Sequence, residues 1–384
     1  MKFPNTIKTK FPKVSESIFS YMSTLANQNQ AINLAQGFPD FMPDKGLIEM
    51  VNNAMLKGYN QYAPMAGIIQ LREKLCEKMD HLYSASYHPE SEITIVPGAT
   101  LGIFAAITAM VKPNEEVIIF EPAYDSYLPA IETAGAIPIF AELKYPLYKP
   151  DWDEVKKLVN SKTKMIVINT PHNPSGSIFS AEDMIKLEKI VKGTDIIILS
   201  DEVYEHILFD KYEHQSVARF PNLAKRSFIV FSFGKTYHNT GWKMGYVFAP
   251  QALMTEFRKI YQYIAFSAST PMQYAFMQML ENKEYYLQIG EMYQKKRDLF
   301  NEGIKGSKFK IIPSNGTYFQ LLNYSKITDQ NDFDFAVQLT TQNKIASIPI
   351  SRFYRKNTDN KMLRFCFAKG NETLLKSIDI LCKI

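Results

Sequence analysis

The strongest constraint on the fold of this 384-residue chain is the alternation of short apolar runs with amphipathic stretches through its middle. Short continuous apolar runs are typical of strands that are buried on both faces of a sheet. The runs are Glu92–Val96, Glu116–Phe120, Lys164–Thr170, Asp195–Ser200, Ser227–Ser232 and Gly245–Pro250. The intervening stretches with helical periodicity are Leu101–Val111, Tyr124–Ala134, Asp151–Asn160 and Ala181–Val191. This alternation predicts an α/β fold with a mostly parallel, doubly wound sheet.

The two ends of the chain have a different pattern. Residues 1–40 have little strand character, and the C-terminal part mixes short strand-like segments with helices and ends in a helix from Glu372. A chain of this length can form a large domain with a smaller one attached. We therefore predict a large domain over residues 41–280 and a small α+β domain that combines residues 1–40 with residues 281–384.

The composition argues against several classes of protein. The net charge of +5 arises from 44 basic and 39 acidic residues spread along the chain, which favours neither a nucleic-acid nor a membrane partner. No stretch approaches the roughly 18 apolar residues of a spanning helix, and no signal-peptide pattern follows the basic N-terminus. The three cysteines are widely separated and predict a reduced, cytoplasmic protein. The histidines lack metal-ligand spacing, so we expect no metal site.

The segment SFGKTYHNTGWKMGY, from Ser232 to Tyr246, contains a Gly-Lys-Thr that resembles the end of a nucleotide-binding loop. That loop requires an earlier glycine, which would fall at position 229. The chain has Ile229 there, inside a predicted strand. The nucleotide interpretation is therefore excluded, and another role must be found for Lys235.

Ligands of doubly wound sheets bind at the carboxyl ends of the strands. Gly98–Thr100 follow the first strand and begin a helix, where free backbone N–H groups favour an anion, although a plain strand-to-helix turn is the alternative. Asp201 ends an apolar run, and a buried carboxylate needs a cationic partner. Lys235 ends the next strand, and a lysine with a lowered pKa can form a Schiff base with an aldehyde.

Ser232 and Lys243 flank Lys235 with a hydroxyl and a cation, both of which suit a phosphate. The combined set predicts a ligand that is a phosphorylated pyridine aldehyde. Its ring nitrogen would meet Asp201 and its aldehyde Lys235. Its phosphate would be held by Gly98–Thr100, Ser232 and Lys243.

A family resemblance rests on seven ordered segments: QGFPDF, NQYAPMAG, PGAT, NTPHNPSG, SDEVYEH, SFGKTYHNTGWKMGY and LRFCFA. In this order they resemble the class I and II pyridoxal-phosphate (PLP) aminotransferases of fold type I, from about Ile18 to the end of the chain. Within that family, NQYAPM, TPHNP and the segment around Lys235 are most similar to the bacterial methionine aminotransferases. The kynurenine aminotransferase/cysteine-conjugate β-lyase group is a close relative.

The resemblance implies roles around the cofactor ring. Lys235 would hold PLP as an aldimine and then carry out the 1,3-proton transfer. Asp201 would keep the ring nitrogen protonated. Asn173 and Tyr204 would hydrogen-bond the ring 3-oxygen, and Tyr124 would stack on the ring face.

The resemblance also implies a phosphate site, a carboxylate site and a second subunit. The phosphate would be held by Gly98, Ala99, Thr100, Ser232 and Lys243. Tyr62 would reach the phosphate of the other subunit of a homodimer with shared active sites. Arg364 would bind the substrate carboxylate with its bidentate fork, helped by Gly37 and Asn173. A surface ion pair is the alternative for Arg364, and a core position is the alternative for Tyr62 and Tyr124.

Two positions depart from parts of the family. Lys243 stands where many relatives carry arginine, which is typical of the methionine/kynurenine subgroup, and lysine still binds phosphate as a point charge. Asn239 stands where the methionine enzymes usually have an apolar residue, which leaves open the packing beside Lys235 and the specificity.

The resemblance therefore implies an aminotransferase that moves the amino group of methionine, or of another large apolar or aromatic amino acid, to a 2-oxo acid. A cysteine-S-conjugate β-lyase or kynurenine aminotransferase on the same scaffold is the alternative. A non-catalytic regulator is a third hypothesis. It is disfavoured because Lys235 is intact and because the segments begin at about Ile18, which leaves no room for a DNA-binding module.

Overall fold

The computed structural model of the chain describes residues 6, 7, 9 and 16–384, and residues 1–5, 8 and 10–15 of the predicted small domain lie outside the described residues. In the described part, the strands are β1 (Ile32–Asn33), β2 (Ile93–Val96), β3 (Glu116–Glu121), β4 (Ile137–Glu142), β5 (Thr163–Asn169), β6 (Ile197–Asp201), β7 (Ser227–Ser232), β8 (Gly245–Phe248), β9 (Lys310–Ile311), β10 (Phe319–Asn323), β11 (Ile345–Ala346), β12 (Ile348–Pro349) and β13 (Met362–Cys366). The α-helices are α1 (Ile18–Gln28), α2 (Lys45–Leu56), α3 (Ile69–Tyr83), α4 (Ala99–Met110), α5 (Tyr127–Thr133), α6 (Trp152–Leu158), α7 (Ala181–Val191), α8 (Pro221–Ala224), α9 (Phe233–Thr236), α10 (Gln251–Ile264), α11 (Thr270–Met279), α12 (Glu284–Leu287), α13 (Ile289–Gly303), α14 (Asp332–Thr341) and α15 (Asn371–Leu381). Short 3-10 helices lie at Val217–Arg219, Thr240–Trp242 and Ile350–Phe353.

The main sheet within the described residues has seven strands in the order β2-β8-β7-β6-β5-β3-β4. β8 is antiparallel to both of its neighbours, and the remaining pairs are parallel. The strands predicted from the apolar runs all belong to this sheet. The predicted mostly parallel α/β fold is therefore confirmed, and β4 is a strand that the apolar runs did not reveal.

Both faces of the main sheet are covered, as the continuous apolar runs predict. In β7, Ile229 and Phe231 pack in the core on one side of the sheet, whereas Phe228 and Val230 pack in the core on the other side. Successive residues of a strand point to opposite faces, so a continuous apolar run such as Phe228–Phe231 requires a layer on each side.

The N-terminal and C-terminal parts of the chain meet in smaller sheets. β1 pairs with β11 in parallel, so that Ile32 lies opposite Ile345. β9, β10, β13 and β12 form an antiparallel sheet in the order β12-β13-β10-β9. This pairing supports a small domain built from both ends of the chain, but the boundaries at residues 40 and 280 stay a prediction.

The main sheet places the ends of several strands at one edge. Because β2, β3, β5, β6 and β7 run in the same direction, the residues that follow them open into a common cleft. This edge is where ligands of open α/β sheets bind. Among the helices in the described ranges, none combines the length and the apolar character needed to cross a membrane.

Candidate active site

A cleft at the carboxyl edge of the main sheet brings together nearly all of the predicted site residues. Those that line it are Gly37, Gly98, Ala99, Thr100, Tyr124, Asn173, Asp201, Tyr204, Ser232, Lys235, Lys243 and Arg364. Tyr62 is not among them; its residue surface is 83% exposed. The cleft lies where the strand ends of the large sheet face β13 and residues 36–37.

One end of the cleft is shaped for an anion. Gly98 has a φ of 88° and precedes the first turn of α4, whose N-terminal N–H groups are free to bind a negative charge. A Cβ atom at Gly98 would lie 3.2 Å from Cε of Lys243, so a side chain there would strain the backbone and crowd the lysine. Glycine is thus required at Gly98 to keep this space open beside the Lys243 cation.

Asp201, the last residue of β6, provides the one carboxylate that lines the cleft in the described part of the chain. The Tyr127 hydroxyl donates to its Oδ2 at 2.5 Å, and the Val203 backbone N–H donates to Oδ1 at 3.3 Å. Burial raises the pKa of Asp201 to about 6, although these hydrogen bonds oppose the shift. A cationic group placed in the cleft would restore its ionised form.

Lys235 lies on the short helix α9, directly after β7. Its Nζ donates to the Tyr318 hydroxyl oxygen at 2.9 Å and lies 3.5 Å from the carbonyl oxygen of Gly37. Part of the residue surface stays open to the cleft, but the amine is surrounded by protein, and this desolvation lowers the pKa of Lys235 to about 8. A lysine in this state is an amine nucleophile and a proton acceptor close to neutral pH.

Arg364 lies in β13 and is only 1% exposed, which excludes a surface ion pair. Its Nη1 donates to Oδ1 of Asn173 at 2.7 Å, and its Nη2 donates to the carbonyl of Ala35 at 2.9 Å. Within the described ranges no carboxylate lies within 4.0 Å of its guanidinium, and its Nε has no hydrogen-bond partner. Desolvation lowers the pKa of Arg364 to about 10. A buried cation without a counter-charge indicates a site for an anionic ligand.

Aromatic rings form the walls of the cleft. Tyr204 is 3% exposed and meets the Tyr318 ring edge to face at 5.2 Å. Tyr124 is half-buried beside Tyr127, with ring centroids 5.7 Å apart. Phe319 lies against the Arg364 guanidinium at 3.9 Å. Neither Tyr124 nor Tyr204 is therefore only a core residue, because both also line the open space.

Sequence reasoning missed four residues that organise the cleft. They are Tyr127, Asn169, Tyr318 and Phe319. Asn169 ends β5, donates to the carbonyl of Asp201 at 2.9 Å and accepts from the backbone N–H of Asn173 at 2.8 Å. Its position at a strand end was a usable signal. Tyr127 and Tyr318 had no such signal, because they reach the site only through the tertiary fold.

The residues of the cleft fit the predicted PLP in kind. A glycine-lined helix N-terminus and Lys243 suit its phosphate, Asp201 suits a protonated ring nitrogen, and the amine of Lys235 suits its aldehyde. Arg364 is a further cation of the same cleft, and its unsatisfied Nε suits a carboxylate. The fit rests on the donor set and on the space that Gly98 keeps open.

Comparison with known proteins agrees with this geometry. The family model for aminotransferase class I and II matches residues 29–378. Methionine aminotransferase of Escherichia coli strain K12 is 43% identical over 97% of each chain. Kynurenine--oxoglutarate transaminase of Dictyostelium discoideum is 33% identical, over 96% of this chain and 94% of the relative.

The structural comparison gives the same result. The crystal structure of Escherichia coli YbdL, described as having a methionine aminotransferase function, superposes with a TM-score of 0.97 at 42% identity. The match covers 99% of this chain and 100% of YbdL. The family and the enzyme class predicted from the ordered segments are confirmed. The chain belongs to the class I and II aminotransferases.

Proposed function

We propose that this aminotransferase uses PLP to move the amino group of methionine, or of another large apolar or aromatic amino acid, to a 2-oxo acid. One observation carries the proposal. Asp201, Lys235 and Arg364 line a single cleft, each is desolvated, and none has an oppositely charged side chain within 4.0 Å among the described residues. Unpaired buried charges are costly, so they indicate ligands that supply the missing partners.

PLP, when bound, supplies an electron sink for negative charge at the α-carbon of an amino acid. The chain would hold it with Asp201 at the ring nitrogen and Lys235 at the aldehyde. Asn173 and Tyr204 would lie at the ring 3-oxygen, and Tyr124 would cover the ring. The phosphate would be held by Gly98, Ala99, Thr100, Ser232 and Lys243.

The chain's own side chains would then orient the substrate and move its proton. Arg364 would fix the amino acid by its carboxylate, together with Asn173 and Gly37, through charge-assisted hydrogen bonds. Lys235 would take the proton from the α-carbon and deliver it to the carbon of the cofactor's aldehyde group, as the 1,3-proton transfer requires. A pKa of about 8 suits this role, because a substantial fraction of the amine is neutral near physiological pH.

Preference for a large apolar side chain has two supports. Phe19, Ile103 and Phe319 line the cleft with apolar surface, and a thioether packs favourably against aromatic rings. The methionine aminotransferase relative is 43% identical, whereas the kynurenine transaminase relative is 33% identical. The methionine assignment is therefore better supported than the kynurenine or β-lyase alternative.

We also propose a cytoplasmic homodimer with shared active sites. Tyr62 is 83% exposed and makes a T-shaped contact with Phe266, itself 49% exposed, with ring centroids 5.3 Å apart. Exposed aromatic clusters of this kind are typical of protein interfaces. In the dimer, Tyr62 would reach the cofactor phosphate of the partner.

The test is reconstitution with PLP followed by borohydride reduction and peptide mapping. We expect a visible absorbance band and a stable label on Lys235. Lys235→Ala should lose both, although Lys243 remains nearby as a second candidate amine. Lys243→Ala is the matched control. It should keep the label on Lys235, but a higher PLP concentration should be needed to load the protein. A colourless protein, or a label that maps to another residue in the wild type, would overturn the proposal.

A further inference from the structure

Tyr318 is a fully buried tyrosine whose hydroxyl reaches the amine of Lys235. It directly precedes β10, and its ring is fixed by edge-to-face contact with Tyr204 at 5.2 Å and by Tyr293 at 5.6 Å. A tyrosine hydroxyl in an apolar setting normally needs a partner. The partners of this one lie in the active-site cleft.

The hydrogen bonds of Tyr318 have a fixed direction. Its hydroxyl oxygen lies 2.6 Å from the carbonyl oxygen of Gly37, which can only accept, so the single Tyr318 proton points to Gly37. The oxygen lone pairs of Tyr318 then face Lys235, whose Nζ lies 2.9 Å away and must be the donor. The three groups form an ordered chain from Lys235 through Tyr318 to Gly37.

We propose that Tyr318 is a positioning residue that holds the free amine of Lys235 and aims its lone pair at the substrate during proton transfer. This inference rests on the proposed function. A neutral amine has two N–H groups and one lone pair. When one N–H of Lys235 donates to Tyr318, rotation about the Cε–Nζ bond is restricted. The lone pair of the amine is then free to accept the proton of the substrate α-carbon. The bonds of Tyr318 itself do not change, because its own proton stays directed at Gly37.

The physical benefit is a reduced entropy cost at each turnover. A lysine carries several freely rotating bonds, and ordering it costs conformational entropy. Under the proposed function Lys235 would be a free amine when it moves the substrate proton, so it would have to be placed again at every turnover. The Tyr318 hydroxyl, which donates its own proton to the Gly37 carbonyl, can hold the Lys235 amine without taking up the substrate proton.

The experiment compares Tyr318→Phe with the matched control Tyr293→Phe. Tyr293 is an equally buried neighbour, but its hydroxyl lies 2.9 Å from Nδ1 of His238 rather than near Lys235. We expect Tyr318→Phe to lower kcat about 10- to 100-fold, the usual effect of a misplaced catalytic group, with KM for methionine changed less than about threefold. The isotope effect with α-deuterated methionine should rise, since proton transfer becomes slower. Tyr293→Phe should keep the wild-type isotope effect.

A second readout does not depend on turnover. In the cofactor-free protein, competitive acetylation followed by mass spectrometry reports the pKa of Lys235. A hydrogen-bond acceptor favours the ammonium form, so removing the Tyr318 hydroxyl should lower the Lys235 pKa by a measurable amount. Tyr293→Phe should leave it unchanged.

The inference fails if Tyr318→Phe shows the wild-type isotope effect and the wild-type Lys235 pKa. That result would leave the proposed function intact, provided that Lys235→Ala is inactive and borohydride still labels Lys235. Loss of the label in the wild type would instead overturn the proposed function. If Tyr318→Phe does not fold, Tyr318→Met, which also fills the space without a hydroxyl, gives the same test.

Discussion

Two groups of buried charged side chains in this molecule differ in whether they have an oppositely charged partner. In the Glu205 cluster, formed by Lys78, Tyr83, Glu205, His206 and Tyr246, the Lys78 cation and the two tyrosine hydroxyls hydrogen-bond the Glu205 carboxylate. In the active-site cleft, Asp201, Lys235 and Arg364 have hydrogen bonds but no counter-charge within 4.0 Å among the described residues. The difference distinguishes a carboxylate that is paired within the fold from a cleft that, as we propose, ligands complete.

The Glu205 carboxylate shows how a buried charge is paired within the fold. Lys78 Nζ lies 2.5 Å from Oε1 of Glu205, and the Tyr83 hydroxyl donates to Oε2 at 2.6 Å. Burial alone would raise the pKa of Glu205, but the nearby His206 and Lys78 hold it well below its usual range. The cluster joins α3 to β8 and to the loop after β6. A pair of this kind is costly to break from one side only.

The two groups differ in the pKa of the carboxylate, which is raised for Asp201 and lowered for Glu205, whereas burial lowers the pKa of the lysine in both. Desolvation moves the pKa of Asp201 up and the pKa values of Lys235 and Arg364 down, so each shift favours the neutral form. The fold thus holds these groups at a cost that a bound cofactor and substrate would offset. Four predictions test this contrast, from the largest expected effect to the smallest.

The largest effect is expected for Asp201→Ala. Removing the carboxylate takes away the only negative side chain that lines the cleft in the described region, so PLP should bind weakly and kcat/KM should fall about 1,000-fold or more. The measurement is steady-state kinetics at saturating PLP. Turnover close to that of the wild type would refute the role of Asp201 at the ring nitrogen.

The second prediction contrasts one substitution from each group. Lys78→Met leaves Glu205 without its close cation and should lower the free energy of unfolding by about 3–5 kcal/mol, while KM for methionine stays the same. Arg364→Leu should raise KM about 100-fold or more and change the free energy of unfolding by less than about 2 kcal/mol. Chemical denaturation and kinetics measure both quantities. If Arg364→Leu lowers the free energy of unfolding more than Lys78→Met does, the proposed difference between the two groups is wrong.

The third prediction concerns pH in the cofactor-free protein. The pKa of Lys235 is about 8 when folded, below the value of an unfolded lysine near 10.4, so the unfolded chain binds more protons between these values. Charged Lys235 therefore costs stability fully below pH 8, and the cost disappears as pH rises towards 10.4. Lys235→Met should stabilise the protein by about 1–3 kcal/mol at pH 7 and by much less at pH 10. A gain that is the same at both pH values would contradict the lowered pKa.

The smallest effect, a change in the free energy of unfolding, is expected for substitutions of Asn239, which lies beside the cleft. This residue is 4% exposed, and its Oδ1 and Nδ2 have no hydrogen-bond partner among the described residues. Asn239→Val introduces the kind of apolar side chain that the methionine enzymes usually have at this position. It should raise the free energy of unfolding by about 1–2 kcal/mol. Asn239→Ala is the control and should gain less, because it leaves a cavity. Destabilisation by the valine would show that the amide has a partner in the working enzyme.

The sequence could predict those parts of the fold and site that have a local signal. Buried strands such as β7 carry a continuous apolar run, Phe228–Phe231, and Asp201 and Lys235 lie at or just beyond the ends of such strands. β4 was missed because it lies at the edge of the sheet, is partly exposed and contains Pro138. Edge positions are where strands tolerate proline, so a buried-strand pattern does not form.

The residues that sequence reasoning missed act across the fold. Tyr318 contacts Lys235 over 83 positions and Gly37 over 281 positions. No spacing rule connects such residues, since their meeting depends on how the small sheet packs against the large one. The unsatisfied amide of Asn239 is similar: the sequence indicated an unusual residue, but only the packing shows that it is buried.

The central claim is that a bound cofactor and a bound amino acid supply the partners that the charged side chains of the cleft lack. The most direct measurement mixes the PLP-reconstituted protein with methionine, without a 2-oxo acid, and follows the visible band. We predict that methionine abolishes the band in a single turnover and that a 2-oxo acid then restores it, whereas Arg364→Leu needs far more methionine. A band that no amino acid changes, in a protein whose Lys235 is still labelled by borohydride, would contradict the account.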